Sequence, residues 1–127
     1  MVITHFGGTE ICNDIETVCS VLSKRYGNNS NEYWIHLIEK YPCIGILVKD
    51  NLAYVQYFPN EGNAGFSSIS SDANLKSDEN TVFYTNTIYE EIEINNNSLI
   101  PFDMAVKVVI EFFKSPQLPG CIEWFEF

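Results

Sequence analysis

Basic residues are scarce in this sequence: seven Lys and Arg stand against seventeen Asp and Glu, the formal net charge is −10, and Arg25 is the single arginine. Affinity for a phosphate backbone comes chiefly from clustered Lys and Arg, so the composition argues against direct binding of nucleic acid. Also missing is any run of about 18 apolar residues, which argues against a membrane span. Met1-Val2-Ile3-Thr4-His5 lacks the basic start and apolar stretch of a secretory signal, and the expectation is a cytoplasmic protein. Histidine is limited to His5 and His36, and Cys12, Cys19, Cys43 and Cys121 show no C-x-x-C spacing. Neither a zinc site nor a redox pair has its ligands, so the cysteines read as reduced core residues and no metal or cofactor is expected.

What is present is the material of a packed core. The chain has 127 residues, 46% hydrophobic and 14% aromatic, which fits one soluble globular domain over residues 1–127. Its acidic surface favours basic partners and fast, salt-sensitive association with them.

Asn13 and Glu16 have the spacing of a capping box, and Ile15, Val18, Cys19, Leu22 and Tyr26 share one helical face before Gly27, which predicts a first helix of about three and a half turns. Tyr33–Ile38, Ile44–Val48 and Leu52–Phe58 are short and rich in β-branched and aromatic residues, with a hairpin-type turn at Lys49-Asp50-Asn51. They predict an antiparallel meander, although the first of them also fits a helix. The polar stretch Ser67–Glu79 predicts a surface loop. Thr81–Tyr84 and Thr87–Ile94 read as strands. Pro101 then opens a second helix that buries Phe102, Ala105, Val108, Val109, Phe112 and Phe113. Cys121–Phe127 carries apolar residues on both faces and reads as a strand internal to the sheet or covered by a helix. The sum is an α+β fold, a largely antiparallel sheet with two main helices packed against it.

Catalytic readings fail one by one. Gly62 and Gly65 come just after a carboxylate, Glu61, and are followed by no lysine before Lys76, which does not suit a phosphate loop. His36-Leu37-Ile38-Glu39 with Pro42-Cys43 has His and Glu one position too far apart, and Ile46 where a zinc deaminase signature needs a second cysteine. Glu90 and Glu91, adjacent on a strand, point to opposite faces and make no acid/base dyad.

Several segments in fixed order resemble a known family. Tyr57-Phe58 ends a strand and is followed by the loop Asn60-Glu61-Gly62-Asn63-Ala64-Gly65-Phe66-Ser67-Ser68. Leu99-Ile100-Pro101 starts a helix that ends Glu111-Phe112-Phe113, and Pro119-Gly120-Cys121-Ile122-Glu123-Trp124 follows. The set, covering about residues 44 to 127, resembles the first-numbered family of immunity proteins from bacterial polymorphic toxin systems, which is typically encoded beside toxins with deaminase domains. An Asn- and Ser-rich insertion around Ser70 to Asn80 departs from the family pattern.

The resemblance implies a non-enzymatic antitoxin that binds a cognate toxin domain, basic and of deaminase type, as a heterodimer and covers its active site. The toxin-binding candidates are Glu61, Asn63, Phe66, Ser67, Ser68, Asp72, Glu90, Glu91, Trp124 and Glu126. Phe66 is expected to protrude as an aromatic anchor with Glu61 as its charge partner; Asp78, Glu79 and Glu93 add to the acidic surface. Trp124 is a signature residue of the family, yet a Trp on a terminal strand facing a helix suits the core as well as an interface. The competing readings are a small-ligand-binding or regulatory α+β domain and a carboxylate-dependent hydrolase. The first requires a sizeable apolar pocket with convergent polar groups, the second a carboxyl with a raised pKa.

Overall fold

The computed structural model describes residues 1–70 and 78–127. Among these the apolar and β-branched runs form a largely antiparallel sheet, with two helices on one face and a two-stranded ribbon on part of the other. β3 (Ser30–His36), β4 (Cys43–Lys49) and β5 (Leu52–Phe58) are the central meander, paired from Ser30↔Lys49 to His36↔Cys43 and from Cys43↔Phe58 to Lys49↔Leu52. The segment that also fitted a helix is therefore a strand as far as His36. A hairpin of β1 (Val2–His5) and β2 (Gly8–Ile11) extends the β3 side.

Two short strands share the free edge of β5. β6 (Phe66–Ser68) pairs at Gln56↔Ser67 and Tyr57↔Phe66, while β9 (Leu99–Pro101) pairs at Leu52↔Pro101 through Tyr54↔Leu99. β10 (Trp124–Glu126) lies outside β6 and makes one border of the sheet, whose order is β10-β6-β5-β4-β3-β1-β2 with β9 beside β5. Among the described residues β7 (Asn80–Tyr84) and β8 (Glu91–Asn95) pair only with each other.

Strand alternation divides the sheet into two faces. Tyr33, Ile35, Ile44, Ile46, Val55 and Tyr57 point toward α1 (Ile15–Leu22) and α2 (Phe102–Lys114), where they meet Val18, Val21 and Leu22 of the first helix and Ala105, Val108, Val109 and Phe112 of the second. The opposite face receives Leu47 and Tyr54, over which Phe83 and Ile94 of the ribbon form a smaller core with Leu99. Arg25 links the helix layer: its Nη1 donates to the Leu22 carbonyl (2.8 Å) and to the Tyr33 hydroxyl (3.2 Å), and the guanidinium lies 4.4 Å from the centre of the Phe102 ring.

Several local expectations are corrected. Asp14, not Asn13, caps α1, its Oδ1 accepting from Thr17 N at 2.7 Å. The helix stops at Ser23 and does not reach Tyr26, because Tyr26 N donates instead to Ser30 O (2.9 Å) across a turn. Asn28 (φ 62°) and Asn29 (φ 53°) supply the left-handed conformation which that turn needs. Ser67 and Ser68 belong to a buried strand rather than a surface loop, and residues 71–77 of that expected loop lie outside the described residues. Thr87 to Glu90 form the turn of the ribbon, so the second of its strands begins at Glu91. Only Trp124–Glu126 of the last segment is a strand, and it is a border strand rather than an internal one.

Candidate functional site

The glycine loop is held by its own backbone demands. Gly62 (φ 79°) and Gly65 (φ 83°) both take the left-handed conformation, and a Cβ on Gly65 would lie 2.8 Å from the Tyr57 carbonyl oxygen and 2.7 Å from the Phe58 ring. Asn63 closes the turn, its Oδ1 accepting from Gly65 N at 2.7 Å. Glu61 and Asn63 are exposed at the tip.

Phe66 does not protrude with them. Its pairing with Tyr57 places it on the helix side of the sheet, where its ring centre sits 5.9 Å from that of Tyr57 and it packs against the main core. The expected anchor is a half-buried core residue, because strand periodicity and not loop composition sets its direction. Ser67 and Ser68 are 3% and 0% exposed, so neither presents its hydroxyl to a partner. Ser68 has a structural task. The amide of Val55 falls in the gap between the two short strands, and Ser68 Oγ accepts from it (3.1 Å) while donating to Ser98 O (2.6 Å).

Trp124 belongs to the core. Its ring centre lies 6.3 Å from that of Tyr57, and its Nε1 donates to Pro119 O at 2.6 Å. Glu126 is exposed on the same strand, opposite Phe66. Phe125 and Phe127 point the other way, exposed, with ring centres 5.0 Å apart. Glu90 and Glu91 are exposed on the ribbon, Glu90 accepting from the Asn86 side chain. Asp78, Glu79 and Glu93 are also exposed, and Asp72 lies outside the described residues. The candidates are thus scattered: Glu61 and Asn63 at one loop, Glu126 at the β10 border, Glu90 and Glu91 on the ribbon.

The residue that sequence reasoning missed is Trp34. It lies on the face opposite the helices, 41% exposed, with its ring across Gly45 of the next strand and its centre 6.1 Å from that of Phe58. Three depressions meet at it. One of about 410 Å³ is lined by Thr4, Phe6, Glu32, Asn86 and Ile88. A second, about 400 Å³, runs past His36, Lys40, Tyr41, Phe58 and the loop residues Asn60, Gly62 and Asn63. The third, about 100 Å³, lies between Gly45, Gln56 and Ile92. Glu32, 8% exposed, forms part of the floor and fixes the ribbon above it, accepting from Thr85 Oγ1 (2.5 Å) and from Asn86 N (3.0 Å). A glycine inside a β-branched strand, as at Gly45, is the sequence signal that could have pointed here.

The displaced carboxyl pKa values fall in the direction opposite to that of a catalytic acid. His5 and Lys24 hold Glu10 below its usual range, the Thr17 amide and hydroxyl hold Asp14 down, and the Gly120 amide does the same for Glu111. Burial and the neighbouring Glu111 push the Cys121 thiol up to about 11, away from nucleophilic use at neutral pH. No helix among the described residues is long and apolar enough to cross a membrane.

A sheet sealed by helices on one face, with an open aromatic surface among carboxylates on the other, is the build of a small binding protein. The chain belongs to the family described as Immunity protein Imm1, whose model matches residues 29–126. It is similar to a double-stranded DNA deaminase immunity protein of Burkholderia cenocepacia (strain H111), at 22% identity over 127 residues, covering 99% of each chain. Its role is that of an antitoxin, and its partner is a cognate toxin.

Proposed function

We propose that the cognate toxin is a deaminase acting on nucleic acid, and that this chain inactivates it inside the producing cell by covering its active site, with no chemistry of its own. The observation that carries the reading is the net charge of −10 on a member of an immunity family whose relative is named for a DNA deaminase. A domain that works on nucleic acid needs basic surface to hold its substrate, and a strongly acidic inhibitor is complementary to that surface.

The test is co-expression with the toxin domain encoded beside this gene, followed by titration of that toxin in vitro. Growth is expected to be restored, and deamination of DNA to fall linearly to nothing at one inhibitor per toxin. Complete suppression by a small fraction of an equivalent would mean that the chain acts catalytically. Failure to restore growth, with both proteins soluble, would refute the reading.

A further inference from the structure

We propose that the toxin docks on the outer face of the sheet, with Trp34 as the central anchor, and that the occupant is the basic, nucleic-acid-binding surface of the toxin domain. The inference rests on the antitoxin reading and adds the surface through which it operates.

Four observations converge on this face. The other side of the sheet is closed by α1 and α2. On the open side Trp34 is 41% exposed yet held in place, lying over Gly45 and beside Phe58. Glycine weakens a strand interior, so a glycine under this ring trades strand stability for the position of the indole. An aromatic already fixed in its bound position loses little freedom on association, and tryptophans at the centre of an interface dominate binding energy.

Trp34 is also where the three depressions join, so protruding side chains of a partner could settle on several sides of the ring. The charge of the surroundings selects the partner. Glu32 lies in the floor, and two exposed carboxylates stand just beyond the lining: Glu61, next in sequence to the lining residues Asn60 and Gly62, and Glu90, which accepts from the side chain of the lining residue Asn86. Among the described residues lining these depressions, Glu32 is the one carboxylate and Lys40 the one lysine or arginine, so the acidic excess comes from Glu61 and Glu90 beside them. Carboxylates around a hydrophobic centre match a surface where Arg and Lys surround the substrate channel of a nucleic-acid enzyme.

The experiment measures affinity and association rate for the neighbouring toxin domain, inactivated by substitution, with four variants. Trp34→Ala is expected to weaken binding by about thirtyfold or more. Thr4→Arg places a cation on the exposed residue paired with Trp34. It is expected to slow association by about tenfold at low salt, with the deficit shrinking as salt rises. Ser20→Arg makes the same charge change at an exposed position on α1, across the sheet, and Phe125→Ala removes an exposed aromatic from the far border of the same face, four strands from Trp34. Both are expected to stay within about threefold of wild type. Should Trp34→Ala fail to fold, Thr4→Arg decides.

Wild-type affinity in both Trp34→Ala and Thr4→Arg would overturn the docking face and leave the antitoxin reading standing. A large loss in Phe125→Ala with none in Trp34→Ala would move the interface to the β10 border and overturn it equally. A wild-type protein that dimerises without toxin through Trp34 would assign the face to a second copy and also overturn the proposal. Absence of any binding by the wild-type chain would remove the antitoxin reading and this inference together.

Discussion

A β-carbon on Gly45 would stand 2.7 Å from Cζ3 of Trp34, closer than two carbons approach without displacement. The obstacle is the far end of a side chain with open solvent on its other side, so the ring can lift where backbone could not. Gly45→Ala is therefore expected to fold and to change stability by no more than about 1 kcal/mol, alanine's better strand fit offsetting part of the displacement. Trp34 should nevertheless move. In a Trp124→Phe background its emission is expected to shift to the red and to become more accessible to acrylamide. An unchanged spectrum would show that the indole does not depend on Gly45.

Phe66 and Glu61 are expected to separate cleanly in a denaturation experiment. Phe66 packs on Tyr57 and the main core, so Phe66→Ala should cost about 2–4 kcal/mol of folding stability, somewhat below the range for a fully buried ring. Glu61 is exposed at the loop tip, and Glu61→Lys should leave the urea midpoint nearly unchanged. A Phe66→Ala protein as stable as wild type would return that ring to the surface.

The buried phenol of Tyr33 makes stability depend on pH at the alkaline end. Burial pushes its pKa up to about 12 from 10.0, against the smaller opposing influence of Arg25. The folded state thus holds this proton more tightly than the unfolded state. The contribution is complete below pH 10 and is lost as pH rises from 10 to about 12. Two pKa units correspond to roughly 2–3 kcal/mol. Burial raises Tyr54 and Tyr57 too, so Tyr33→Phe should flatten the decline in urea midpoint between pH 10 and 12 without abolishing it. An identical slope in the variant would exclude Tyr33 as its source.

Periodicity made the meander, α2 and the mixed α+β layering legible, because those elements repeat the apolar pattern for several turns or strand positions. The β1–β2 hairpin is absent from the sequence expectations, although Gly7-Gly8 between two β-branched runs is a hairpin signal. The expected α1 is longer than the observed one because Tyr26 continues the helical spacing by chance, while the next residues form a turn that only the pairing with Ser30 reveals. The site was harder to see. Phe66 reads as a loop residue because the serines after it read as solvent-exposed, whereas β6 pairs with β5 across the glycine loop and with β10 from the far end of the chain. Trp34 looked like any aromatic in an apolar run. Its exposure depends on which face α1 and α2 cover and where the ribbon stops, neither of which is local information.

The hydroxyl of Ser68 bonds the carbonyl of Ser98 thirty positions away, and the amide of Ser70 reaches Asn97 O at 2.6 Å. Chain departure and chain return are fastened side by side at the edge of β5. The ribbon of β7 and β8 lies on an excursion with a clamped root. The excursion can gain or lose residues at a cost that grows only logarithmically with its length, while β6 and β9 keep their register. Insertions or deletions in the ribbon therefore rebuild one wall of the Trp34 surface, where Thr85, Asn86 and Ile92 stand, without disturbing the sheet beneath. On the docking face proposed above, such changes alter partner choice while the scaffold stays constant.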